Sequence, residues 1–163
     1  MKKYIFTLML LFVCQIGFGQ SIDGLFREFG NEKNADCVKI SPFMMSLGRM
    51  FAGNDKDAQM LSKIKSLKVL DLEECTANVK ERFNNKVNKQ NWNGYEELMR
   101  VNDEGEKVRV LMKIKKETIR ELLLVCTGND DCTLIQINGK FTKDDIDNLV
   151  NEQTGKKKKN ERR

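Results

Sequence analysis

The chain predicts an α+β domain of two layers: a mixed sheet of about six strands with helices mainly on one face. Three observations lead there. Short strand-type and helix-type segments alternate through residues 22–87, which suggests a strand–helix–strand unit with a parallel pair and a right-handed crossover. Residues 97–137 then switch to alternating apolar and polar positions between turn residues, the pattern of an antiparallel meander. Finally, Val79, Phe83 and Val87 recur every fourth residue among Lys80, Glu81, Arg82 and Lys86, as in a helix laid on a sheet.

The elements follow in order. Ile22, Leu25, Phe26 and Phe29 form one apolar helical stripe, closed by Gly30-Asn31. Asp36 to Ile40 reads as a short strand. Ser41-Pro42 opens a helix, Ser as the cap and Pro in the first turn, where its missing N–H costs nothing. Phe43, Met44, Leu47, Met50 and Phe51 make that helix strongly apolar, and Gly53-Asn54 stops it. Residues 57–64 suggest a short helix through Met60, Leu61 and Ile64, and residues 66–72 a second strand.

After the Val79–Val87 helix, residues 97–101 and 106–114 flank Asn102-Asp103-Glu104-Gly105 as a hairpin. Val108, Val110, Met112 and Ile114 are expected on a buried face, with Arg109, Leu111 and Lys113 largely wet. Residues 118–125 and 133–137 form a second hairpin around Gly128-Asn129, and Asn138-Gly139 turns the chain again. Thr142, with Asp145 three residues on, caps a last helix carrying Ile146, Leu149 and Val150. No repeat and no linker divides the domain.

The two ends differ from this body. Lys2 and Lys3 precede an apolar run from Tyr4 to Val13, with Gly17 and Gly19 ahead of Gln20, the layout of a bacterial signal peptide over residues 1–19. The run is too short for a membrane span. Acylation at Cys14 is the rival reading, against which Val13 and Phe12 make a poor lipobox. Residues 20–152 are then one domain, exported to the periplasm or the outer membrane. Residues 153–163 hold no apolar side chain and read as a disordered basic tail. Much of the formal +5 lies in the two ends, so the body is mildly acidic. Lys156, Lys157, Lys158, Lys159, Arg162 and Arg163 suit an anionic membrane or cell-wall surface, or simply solvent. Nucleic acid is a poor partner for an exported chain.

No histidine is present, which removes the commonest general base and most zinc sites. The chain has neither a P-loop nor a dinucleotide fingerprint, and no cofactor or metal is expected. Of the four cysteines beyond residue 20, Cys126 and Cys132 flank a turn and could bridge across it. That leaves Cys37 and Cys75, and the other reading of all four is buried thiols. Trp92 and Tyr95, set among amides in Asn91-Trp92-Asn93-Gly94-Tyr95, either stack on a sugar or peptide ligand or fold back as a lid on the core.

The run Tyr95-Glu96-Glu97-Leu98-Met99-Arg100-Val101, then Gly105-Glu106-Lys107-Val108, then Ile119-Arg120-Glu121-Leu122-Leu123-Leu124-Val125 resembles an uncharacterised bacterial envelope family, domain of unknown function 4252. The resemblance spans most of the mature chain and is clearest in its strand-rich C-terminal part. It implies a small exported protein, frequently lipidated, and brings no catalytic residues with it. The expected function is thus a non-enzymatic envelope module that binds another protein or an envelope component. The alternative is a hydrolase of cell-wall or glycan material working through two carboxylates.

Overall fold

The computed structural model describes residues 21–51 and 56–147. The signal segment with Cys14, the tail lysines and arginines, and Leu149 and Val150 of the last helix lie outside the described residues.

Helix α1 (Ile22–Phe29) starts at Ser21, whose hydroxyl accepts the Gly24 N–H at 3.1 Å. Its whole stripe, Ile22, Leu25, Phe26 and Phe29, is buried. Strand β1 (Asp36–Ile40) leads into α2 (Pro42–Phe51), capped by the Ser41 hydroxyl at the Met44 N–H. Then come α3 (Lys56–Lys63), β2 (Ile64–Asp71) and α4 (Ala77–Lys89), which buries Val79, Phe83 and Val87. Four strands complete the sheet: β3 (Glu96–Asp103), β4 (Glu106–Lys115), β5 (Thr118–Thr127) and β6 (Thr133–Phe141). Glu104 and Gly105 both take positive φ, as a two-residue hairpin turn requires. Thr142 and Asp145 cap each other reciprocally at the start of the last helix: the Thr142 N–H donates to Asp145 Oδ2 at 2.8 Å, and the Asp145 N–H to Thr142 Oγ1 at 3.2 Å.

The α+β reading holds, with six strands in the order β1-β2-β6-β5-β4-β3. The sheet is antiparallel throughout and not mixed, because β1 pairs antiparallel with β2. One crossover helix would bring the chain back to run parallel. Two successive helices, α2 and α3, reverse it twice and deliver β2 the other way up. A second correction concerns Asn138-Gly139, which does not turn the chain but continues β6 to Phe141. Gly139 is needed for close approach instead: a Cβ there would sit 2.5 Å from the Lys63 carbonyl oxygen.

Helices α1 and α4 cover one face of the sheet. Their Phe29 and Phe83 rings meet edge to face at 5.3 Å, and they pack on Leu70, Leu111, Leu123, Val125 and Leu134. Ion pairs stitch the two helices on their outer side, Lys86 and Arg82 to Glu28, and Arg82 to Glu32 at 3.0 Å.

Candidate functional site

The strand register sorts every residue of the sheet onto one face or the other. Opposite the helices, the central row runs Val38, Val69, Ile135, Leu124, Val110, Met99, one aliphatic side chain from each of the six strands. The row on one side is Ile40, Leu67, Ile137, Leu122, Met112 and Glu96. On the other side it is Asp36, Asp71, Thr133, Cys126, Val108 and Val101. Only Asp36, Asp71, Thr133 and Glu96 interrupt the apolar surface.

None of these apolar side chains is fully buried, and Val38, Met99 and Val101 are 52%, 48% and 44% exposed. A second cluster, Ile119, Phe141 and Ile146, gathers Met60, Met112, Leu122 and Ile137 at one end of the face. Helix α2, which begins soon after Ile40, also leaves Phe43, Met44 and Leu47 exposed.

The sequence places β4 the other way round. Val108, Val110 and Met112 were the side expected to be buried, yet they are half-buried on the open face. Leu111, expected to be wet, is 1% exposed beneath the helices. The flanking Arg109 and Lys113 reach the same covered face because loop aromatics receive them. The Arg109 guanidinium lies 5.3 Å from the centre of the Trp92 ring, and Lys113 Nζ lies 5.3 Å from that of Tyr95. Trp92 and Tyr95 contact each other edge to face at 6.3 Å and pack against the helix-side core. They form the lid described by the second sequence reading.

Beside this lid opens a polar cleft of about 430 Å³, lined by Ser21, Asp23, Asn91, Asn93, Tyr95, Lys113, Glu121 and Gln136. Glu121 is 8% exposed, and its Oε1 accepts both the Tyr95 hydroxyl at 2.8 Å and Gln136 Nε2 at 2.6 Å. Burial first, then the bond to the Glu121 carboxylate, pushes the Tyr95 hydroxyl well above its ordinary range. Gln136 Oε1 is buried and has no hydrogen-bond partner among the described residues. Sequence reading passed over Glu121 and Gln136. The signal was there in alternation: Glu121 shares a period-two face with Leu123 and Val125, and Gln136 follows Leu134 on its face.

The outer edge of the same face carries Glu97. It is held by Arg100 Nε at 2.8 Å and Arg109 Nη2 at 2.7 Å, and the Arg100 bonds hold its carboxyl at about 2, well below the usual range.

The expected Cys126–Cys132 disulfide is absent, and all four described cysteines are free thiols. Geometry gives the reason. Cys126 pairs with Thr133 on the open face, whereas Cys132 is buried beneath the helices, one residue out of phase. The Cys132 thiol donates to Asn84 Oδ1 or the Gly128 carbonyl, each at 3.3 Å. Burial raises the pKa of Cys75, Cys126 and Cys132, which keeps them protonated and poorly nucleophilic.

Among the described residues no group of His, Cys, Asp and Glu converges to hold a metal ion, and no helix is long and apolar enough to cross a membrane. No curated protein and no solved structure matches the chain. One family model does match, over residues 28–149, which take in all six strands and α4. On that match, the chain belongs to the family described as domain of unknown function 4252, DUF4252.

Proposed function

We propose that this chain is an exported, non-enzymatic envelope protein that works as a small interaction module. The observation that supports it is the open sheet face, where three rows across six strands are apolar but for Asp36, Asp71, Thr133 and Glu96. Side chains of this kind gain about 25 cal/mol for each Å² of apolar surface removed from water, so a partner that covers them is strongly favoured. The leader-like residues 1–19 supply the export reading, and the basic residues from Lys156 to Arg163 supply a secondary contact with anionic surfaces.

The test is photo-crosslinking in the cell from a reactive residue at Leu124, with Glu81 on the exposed side of α4 as control. A discrete adduct from position 124 and none from position 81 supports the module. Absence of any adduct at 124 contradicts it.

The polar cleft favours a second reading, hydrolysis of a glycan by a carboxylate pair, since Glu121 and Asp23 both line it. Asp23 is already engaged by Lys68 at 2.6 Å, which weakens its claim to the second catalytic role. Turnover of cell-wall glycan that disappears in Glu121→Gln would establish this reading in place of the first.

A further inference from the structure

We propose that the polar cleft beside the lid of Trp92 and Tyr95 binds a neutral sugar without cleaving it, through Gln136, Glu121, Lys113 and Asn93. Its floor belongs to the helix-covered side of the sheet, so the proposal stands apart from the open face. At about 430 Å³ the cleft falls within the usual size of small-ligand sites.

The observation that carries it is an acceptor without a donor. Gln136 is 7% exposed, and among the described residues its Oε1 has no hydrogen-bond partner. Such buried orphans are rare in folded chains. The amide cannot turn round to relieve it. Its Nε2 donates to Glu121 Oε1 at 2.6 Å, and a reversed amide would set oxygen against carboxylate. Glu121 Oε1 also accepts the Tyr95 hydroxyl at 2.8 Å, which fixes the carboxylate in turn. A ligand hydroxyl supplies the missing donor. Asn91 and Asn93 in the cleft wall are exposed, and the buried oxygen is reached by side-chain movement of the kind common on binding.

Charge and backbone choose the class of ligand. Asp23 pairs with Lys68 at 2.6 Å, and Glu121 on β5 lies opposite Lys113 on β4. Two carboxylates are thus matched by two ammonium groups, and an anion or a cation would meet a like charge. Strands β4, β5 and β6 are each paired on both sides, so the floor has no free edge to take a peptide as an added strand. What remains is a mixed set of amides, carboxylate and ammonium. A sugar hydroxyl suits such a set because one oxygen both donates and accepts. It can donate to Gln136 Oε1 while accepting from Lys113 or Asn93. The ring also holds its hydroxyls in fixed directions, which limits the ordering cost of binding.

Titration of the isotope-labelled chain, read by NMR at the side-chain amides of Gln136 and Asn93, tests the site. N-acetylglucosamine should give saturable shifts with a dissociation constant of about 1 mM. Its linear trimer separates the two sources of such a sugar: binding roughly tenfold tighter marks a unit of a glycan, and equal binding marks a free sugar. Gln136→Met should weaken binding by about tenfold or more. Asn93→Ala, at an exposed loop position, should weaken it roughly threefold and is the second variant should Gln136→Met not fold. Leu124→Ala should bind the sugar as the wild-type chain does, so the open face and the cleft stand or fall separately. No shift up to about 100 mM sugar overturns the proposal and leaves the Gln136 oxygen to water. Unchanged affinity in both cleft variants overturns it as well. Tighter binding of triglycine, methylammonium or acetate than of the sugar overturns the ligand class. Cleavage of the trimer would put the hydrolytic reading in its place.

Discussion

Leu123 and Leu124 are neighbours on β5 and meet different worlds. Leu123 points under α1 and α4 and is wholly buried, while Leu124 points to the open face and is only partly buried. The two faces differ in the reverse sense from what their composition suggests. The covered face includes Glu121, Gln136, Lys68, Arg109 and Lys113, and needs hydrogen bonds, ion pairs and cation–π contacts to accommodate them. Among side chains in register, the open face is the more uniformly aliphatic. Folding among the described residues uses the mixed face and one end of the purer one, and the rest of the purer face is left over. That division is what an interaction module would need: a core that holds the sheet together without consuming its best apolar surface.

Substitutions can break this comparison at either face. The largest loss is expected at Phe83, wholly buried and in contact with Phe29. Phe83→Ala should cost about 3–5 kcal/mol in urea unfolding. Next is the polar network inside the covered face. Glu121→Ala leaves the Tyr95 hydroxyl and Gln136 Nε2 without their acceptor and should cost about 2–4 kcal/mol. Tyr95→Phe removes one of those bonds and should cost about 1 kcal/mol.

The thiols sharpen the contrast without any change in the core. With Cys126 on the open face and Cys75 and Cys132 buried, alkylation of the native chain above pH 9 should reach Cys126 well before Cys75 or Cys132. Equal rates at all three would contradict the placing of Cys126 on the open face.

The smallest effect concerns Glu97, whose carboxyl lies near 2 when folded against an ordinary 4.5. A lowered pKa stabilises the folded state above the ordinary value, and the contribution is lost as pH falls from about 4.5 towards 2. Glu97→Gln should therefore be slightly less stable than the wild-type chain above about pH 4.5, show a flatter acid limb, and converge with it towards pH 2. Exposure to solvent keeps the size of this effect small.

Local chemistry was well written in the sequence. The stripe of α1, the four-residue spacing of α4 and the Thr142–Asp145 box are short-range signals, each readable from a few positions. Two things depended on distant partners and were not readable. Alternation in β4 tells that Val108, Val110 and Met112 share a face but not which face the helices take. Nor is the pairing direction of the segment at 36–40 readable: both helices between it and residues 66–72 are legible, but not that together they return β2 antiparallel to β1. Gly139 misled for a similar reason: its need for space comes from Lys63, far away in sequence. Glu121 was legible as a carboxylate out of place on an apolar period, though its partners Tyr95 and Gln136 come from other parts of the chain.

The most direct measurement compares Leu123→Ala and Leu124→Ala by urea unfolding of the isolated chain and by photo-crosslinking in the cell from Val110, which pairs with Leu124 on the open face. If that face is a contact surface, Leu123→Ala loses about 2–5 kcal/mol of stability, while Leu124→Ala loses much less and weakens the adduct. A Leu124→Ala variant that loses as much stability as Leu123→Ala and leaves the adduct unchanged would contradict the account.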